Sequence, residues 1–147
     1  MVLYTDGSER HSPSSRSGRT SGAGAVLMDG QRQIFSKSVP LEPVDISVAE
    51  AMALLIGLRE AIEHCDSDQL TVKMDHQGLV QVLNEDGRCP TGKNMKEMMD
   101  LVTQIREVMS SYKQGVKIEL IGRKDNLANI PARKASKQQK ELTHMGT

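Results

Sequence analysis

The sequence predicts an α/β fold, a mixed five-stranded sheet flanked by helices with elements in the order β-β-β-α-β-α-α-β-α. Two observations carry this. Three β-type runs joined by turn signals occupy the N-terminal part, as in an antiparallel meander. From Ser47 onward, segments with helical spacing interleave with short alternating runs, which calls for crossover connections and helices on the sheet faces.

The first run, Val2-Leu3-Tyr4-Thr5, ends at the turn-like Asp6-Gly7-Ser8. Glu9 to Ser21 is rich in Ser, Arg, Gly and His without periodicity and reads as a flexible loop. Gly22 to Met28 is the second strand, Asp29-Gly30 a hairpin turn, and Gln33 to Val39 the third strand, stopped at Pro40. Ser47 is a good N-cap with Glu50 three residues later, and Ala51, Leu55, Leu58 and Ile62 form one apolar stripe of a helix. Gln69 to Met74 is a fourth strand ending at Asp75. His76 to Asn84 is a short helix, and Glu85 to Gly92 a loop. Asn94 to Tyr112 is a long helix carrying Met98, Leu101, Ile105, Val108 and Met109 on one side. Val116 to Ile121 alternates as the fifth strand, and a last helix begins near Asp125 or Asn126. The expected organisation is one domain over residues 1–136 and a polar, flexible tail over 137–147.

At 147 residues the chain can bury a core without staples. Only 2% of residues are aromatic, so aliphatic side chains and nine Met fill that core. Cys65 and Cys89 suggest no disulfide framework, no apolar run reaches membrane-spanning length, and Met1 to Ser8 lacks a signal-peptide layout. The expectation is a soluble, cytoplasmic protein. Net charge is zero but unevenly spread: Leu41–Ser111 holds thirteen acids and six bases, and Tyr112 to the end eight bases and three acids. An acidic middle beside a basic flank suits metal-binding carboxylates next to a phosphate-attracting surface; a solvated, Lys-rich helix face is the plain alternative.

Asp6, Glu50 and Asp75 each sit where a strand end or a helix start can aim them. Grouped carboxylates repel one another, so such a cluster makes sense mainly around a hard cation. Each also has a plain structural role. Asp6 before Gly7 can start a turn, Glu50 can complete a capping box, and Asp75 can cap the following helix.

Their surroundings resemble a known family. Tyr4-Thr5-Asp6-Gly7-Ser8 resembles the first-strand signature of type 1 ribonucleases H. Ala49-Glu50-Ala51 followed by Gly57-Leu58 resembles that family's helix motif, and Met74-Asp75-His76-Gln77 its Asp-Ser-Gln segment. The stretch from Arg123 to Ala135 resembles its Arg-x-x-Asn…Ala-Asp-x-Leu-Ala ending. The resemblance spans nearly the whole chain. It implies a ribonuclease H-like mixed five-stranded sheet and an endonuclease that cuts the RNA strand of RNA–DNA hybrids; a monomer is the separate expectation. The implied cofactor is two Mg²⁺ or Mn²⁺ ions, and the reaction is in-line hydrolysis leaving 5′-phosphate and 3′-hydroxyl ends. Asp6, Glu50 and Asp75 would be the catalytic metal ligands, with Asp6 bridging both ions and Glu50 sensing the ribose 2′-hydroxyl. Gly7, Ser8, Gln77, Arg123 and Lys124 would contact nucleic acid.

The chain departs from the family at three places. The family's fourth acid falls on Asn129, which offers an oxygen but no charge; Asp125, four residues earlier, would stand in if the helix starts early enough, or else caps that helix. The family's Asn-Pro-Gly loop after the first strand is replaced by Glu9–Ser21, whose Arg10, Arg16 and Arg19 either reach phosphates or lie in a disordered loop. Gly122-Arg123-Lys124 stands where some members carry a flexible His, and His144 reads as a bystander. A weakly active or silent nucleic-acid-binding module is therefore the second reading, and a structural domain that keeps only the fold the third.

Overall fold

The computed structural model describes residues 1–11, 18–65, 69–85, 92 and 94–145, with the backbone alone from residue 139. The expectations for Arg16, Cys89, the His144 side chain and most of the loop before the long helix fall outside these residues. The strands are β1 (Val2–His11), β2 (Arg19–Asp29), β3 (Arg32–Leu41), β4 (Leu70–Met74) and β5 (Val116–Leu120). The helices are α1 (Ile46–Ala61), α2 (Gln77–Asn84), α3 (Met95–Ser110) and α4 (Asn129–Met145), with one-turn 3₁₀ segments at Ile62–His64 and Arg123–Asp125. The predicted order of strands and helices is the observed one.

The sheet order is β3-β2-β1-β4-β5. β1, β2 and β3 pair antiparallel, while β4 lies parallel to both β1 and β5. Side chains alternate across the central strands and give each face its own helices. Leu3, Thr5 and Ala25 pack near Gly57 of α1, whereas Gly22 and Gly24 lie under α4. α3 covers the outer side of α1, so α1 is buried well beyond the predicted single stripe. Leu3, Leu27, Leu54, Leu58, Leu70, Met74, Leu79 and Ile105 are sealed in the core. The Tyr112 hydroxyl donates to the Leu58 carbonyl at 2.5 Å, which gives the one buried phenol a partner.

The described ends of the segment expected to be a flexible loop, residues 9–11 and 19–21, are strand. β1 does not turn at Asp6-Gly7 but continues to His11, paired with β2 from Val2↔Met28 through His11↔Arg19. The backbone hydrogen bonds of a long hairpin satisfy polar Ser, Arg and His residues whose pattern carries no apolar signal. Pro40 also falls inside β3, opposite Gly22. β3 is the sheet's edge, where a missing N–H costs no ladder bond. α4 continues through Met145, past residue 137 where a flexible tail was expected.

α4 lies unusually close to β2. A Cβ on Gly24 would stand 2.5 Å from both the Ala128 carbonyl oxygen and the Ala132 nitrogen, and one on Gly22 would stand 2.4 Å from the Ser136 nitrogen. Ala128, Ala132, Ala135 and Ser136 complete this small-residue seam and are fully buried. Backbone atoms cannot move aside as a flexible side chain can. Gly24→Ala is therefore expected to lower stability by about 1–3 kcal/mol and to push α4 off the sheet. Chemical denaturation checks this, and an unchanged midpoint would contradict the close packing.

Candidate active site

The cluster begins with strand register. β1–β4 pairing ends at Tyr4↔Lys73, and Asp6 and Asp75 each lie two residues further along, so parallel pairing brings them level. Glu50 arrives from α1, which presses onto β1 at Gly7. A Cβ there would lie 2.4 Å from the Glu50 nitrogen and 2.5 Å from the Ala49 carbonyl carbon. One carboxylate oxygen from each of Asp6, Glu50 and Asp75 lies within 4.8 Å of the others. Asp6 and Glu50 are buried and Asp75 is half-buried.

The plain structural roles fall away in turn. Asp6 lies in mid-strand, so it starts no turn. The N-cap of α1 is Asp45, not Ser47, and its carboxylate is engaged by Arg19 and Asn94 rather than by the helix end. With Ser47 inside the helix there is no capping box, and Ser47 Oγ meets His76 Nε2 at 3.3 Å. α2 is capped by His76, whose Nδ1 accepts from the Leu79 N–H at 3.1 Å, leaving Asp75 out of the cap. An accepting Nδ1 puts the proton of the neutral ring on Nε2, which donates to Ser47; burial also holds the His76 pKa below its usual value.

Burial is the first cause that raises the proton affinity of Asp6 and Glu50. Asp6 is pushed up to about 6 by burial, helped by Asp75 and opposed by its hydrogen bond with Glu50 and by the Arg123 charge. Glu50 is pushed up to about 10 by burial, then by the charge of Asp6, with Asp75 adding to it. One Glu50 oxygen, Oε2, is buried without a hydrogen-bond partner. A hard divalent cation answers all three features: it takes oxygen ligands, neutralises mutual repulsion and occupies the unpaired lone pairs.

Both pKa values lie above those of the unfolded chain, so the folded protein holds extra protons between about pH 4 and 10. The stability these two groups contribute is complete below about pH 4 and is lost as pH rises through their folded values. The half-buried His76, its pKa lowered by burial, works oppositely, gaining stability as pH rises toward about 6.5. In a chelator, wild type minus Glu50→Gln stability should thus fall from pH 5 to pH 8. Thermal unfolding of the two proteins measures it, and a flat difference would show that burial and the neighbouring acids do not raise the Glu50 pKa.

The fourth corner is Asn129, the first residue of α4, half-buried and lining the same cleft as Asp6. Asp125 does not take its place. It sits exposed in the 3₁₀ turn and, among the described residues, the cluster holds only Asp6, Glu50 and Asp75. The reason is Asn126, whose extended backbone separates that turn from the helix. The buried Asn126 side chain donates from Nδ2 to the Thr5 carbonyl at 2.9 Å and accepts at Oδ1 from the Ala128 N–H at 3.1 Å. It ties the start of α4 to β1 one residue before Asp6, a role invisible in the motif that contains it.

An open cleft of about 580 Å³ runs from Asp6, Gly7 and Ser8 past Arg123 and Asn129 to Arg10, His11, Arg133 and Lys137. Of the residues expected at a nucleic-acid surface, Gly7, Ser8 and Arg123 line it. Gln77 and Lys124 are exposed outside the lining. His11, Arg133 and Lys137 were missed as cleft residues, although the four-residue spacing of Asn129, Arg133 and Lys137 on one helix face was readable.

Residues 9–138 match a family described as reverse transcriptase-like. The chain belongs to that family. The matched span includes Glu50, Asp75 and Asn129, while Asp6 precedes it. Among solved structures, the chain resembles the N-terminal RNase H domain of a Mycobacterium tuberculosis protein, with TM-score 0.77, 20% identity and 96% of each chain covered. It resembles RNase H1 of Halobacterium salinarum with TM-score 0.76 and 19% identity, over 93% of this chain and 97% of that one. It also resembles LC11-RNase H1, isolated from compost and solved with an RNA/DNA hybrid, with TM-score 0.78 and 20% identity over 93% and 96%. The fold of this reverse transcriptase-like chain is thus that of ribonuclease H. No protein of curated function matches the sequence. No described helix is long and apolar enough to cross a membrane.

Proposed function

We propose that the protein is a divalent-metal-dependent endonuclease that hydrolyses the RNA strand of RNA–DNA hybrids, leaving 5′-phosphate and 3′-hydroxyl ends. The observation that carries the reading is the convergence of Asp6, Glu50 and Asp75, from three separate elements, within 4.8 Å of one another. The ribonuclease H fold, and the RNA/DNA hybrid bound to LC11-RNase H1, support the choice of substrate.

Asp6, Glu50 and Asp75 would hold Mg²⁺ or Mn²⁺, as two ions, with Asn129 lending an amide oxygen. Bound there, the ions supply Lewis acidity for a water nucleophile and charge neutralisation for the leaving oxygen. The protein's own contribution is placement. The β1–β4 register and the Gly7 contact fix the acids, and Asn126 fixes Asn129. Ser8, a small side chain lining the cleft beside Asp6, leaves room for a sugar-phosphate backbone to lie close to that acid. Arg123, exposed in the cleft and electrostatically coupled to Asp6, is placed to orient a phosphate.

One observation favours a second reading, a silent module that binds without cutting: the neutral Asn129 at the fourth corner. A strand-labelled RNA–DNA hybrid, incubated with Mg²⁺ and then Mn²⁺ beside single-stranded RNA and duplex DNA, separates the two. The proposal expects internal cuts in the RNA of the hybrid alone. Binding without cleavage in both metals would establish the silent module, and cutting of duplex DNA would establish a different nuclease.

A further inference from the structure

The cleft is charged in two halves, and only one belongs to the carboxylates. Beyond Asp6, β1 continues as an arm carrying Arg10 and His11, and α4 passes alongside with Arg133 and Lys137. Resting on the endonuclease reading above, we infer that Arg10, Arg133 and Lys137 form a track for a nucleic-acid backbone running from the carboxylates along α4.

Three observations support the track. First, the α4 side chains are aligned. Asn129, Arg133 and Lys137 recur every four residues on one face, and eight residues of helix rise about 12 Å. One strand of a duplex advances about 3.4 Å per nucleotide, so this wall spans roughly three to four nucleotides beyond the fourth corner of the site.

Second, these charges are uncommitted. Among the described residues Arg10, Arg133 and Lys137 form no ion pair, whereas Lys37 meets Glu60 at 3.1 Å and Lys117 meets Glu119 at 3.1 Å. All three are exposed. Beside Asp6, the other acid lining their cleft is Glu9, which faces Arg19 at 3.4 Å, so its charge is offset.

Third, the arm is held. Arg19 pairs with both Glu9 and Asp45, and Asp45 is also engaged by Asn94. The hairpin is thereby clamped to the N-terminus of α1, the helix that carries Glu50. Ser8 Oγ and Ser136 Oγ, 3.0 Å apart, join the arm to α4. Both walls of the cleft are fixed relative to the acids, so a strand gripped by the track is held in register with them.

The test is a double variant, Arg133→Gln/Lys137→Gln, and Arg10→Gln alone, against Lys113→Gln/Lys117→Gln as a charge-matched control. Hybrid affinity is read from about 50 to 200 mM salt with Ca²⁺ in place of Mg²⁺, and cleavage is read separately in Mg²⁺. The track predicts that the double variant loses about 2 from the slope of log K against log salt, since each phosphate contact contributes about 0.9. Arg10→Gln should lose about 1. KM should rise about tenfold in the double variant with kcat within about twofold, because these side chains do not touch the reacting atoms. The control should match wild type. If the hybrid is cut but slopes and KM stay at wild-type values, the track is wrong and the endonuclease stands. Equal slope losses in the control would reduce the effect to net charge and also refute it. If wild type binds neither hybrid, duplex DNA nor single-stranded RNA, the track and the functional reading both fail.

Discussion

Asp6→Asn is expected to abolish cleavage while making the metal-free protein more stable. Asp6 is the acid that both other carboxylates face, so its loss removes a charged ligand and should lower turnover by about 10³-fold or more. The same substitution removes a buried charge from beside Glu50 and Asp75. Asp6 is pushed up to about 6 from an ordinary 3.8, and one pKa unit corresponds to about 1.4 kcal/mol. Near pH 8 in a chelator the gain in stability should therefore be on the order of 1–3 kcal/mol, the upper end assuming that the amide makes the contacts the acid makes. The opposed signs are what matter. A residue with a structural role loses stability when it is replaced, so a destabilised, still active Asp6→Asn protein would place the chemistry elsewhere. Hybrid cleavage and chemical denaturation on one preparation read both effects.

Asn129→Asp is expected to raise cleavage at limiting Mg²⁺ by about tenfold or more. The added carboxylate brings a negative charge to a cleft it already shares with Asp6, which favours a divalent cation. The Asn126 bridge holds the start of α4 against β1, so the new acid should enter the cleft without rearrangement of the helix. Without metal, a fourth like charge should lower stability above about pH 6. Activity rising together with falling metal-free stability identifies Asn129 as the neutral fourth corner. If neither changes, residue 129 does not face the cation and three acids form the whole site.

Order and kind of the elements were legible because hydrophobic periodicity reports burial directly. Leu3, Leu27, Leu58 and Ile105 all sit where their patterns put them. The hairpin arm was not legible: Glu9, Arg10 and His11 gain strand structure by pairing with β2, and neither alternation nor β-branched residues announce it. The apparent capping box at Ser47 misled because Asp45, two residues earlier, is the true start of the helix. Nearness in sequence likewise made Asp125 a candidate ligand, and one extended residue, Asn126, removed it from the helix. The close seating of α4 on Gly22 and Gly24 depends on two elements distant in sequence, and so do the cleft positions of Arg133 and Lys137. The three acids were legible as candidates through their motifs. Their convergence required the parallel β1–β4 register and the Gly7 contact, which are tertiary facts.

The most direct measurement of the central claim is a calorimetric titration of Mn²⁺ into the protein at pH 7, repeated in buffers of different ionisation enthalpy. Near neutral pH, burial and repulsion leave the Asp6–Glu50 pair holding a proton that an arriving cation must displace. The account predicts Mn²⁺ binding with release of about one proton, seen as a buffer-dependent heat, and loss of that release in Glu50→Gln. Absence of binding, or binding whose heat is the same in every buffer, would contradict it.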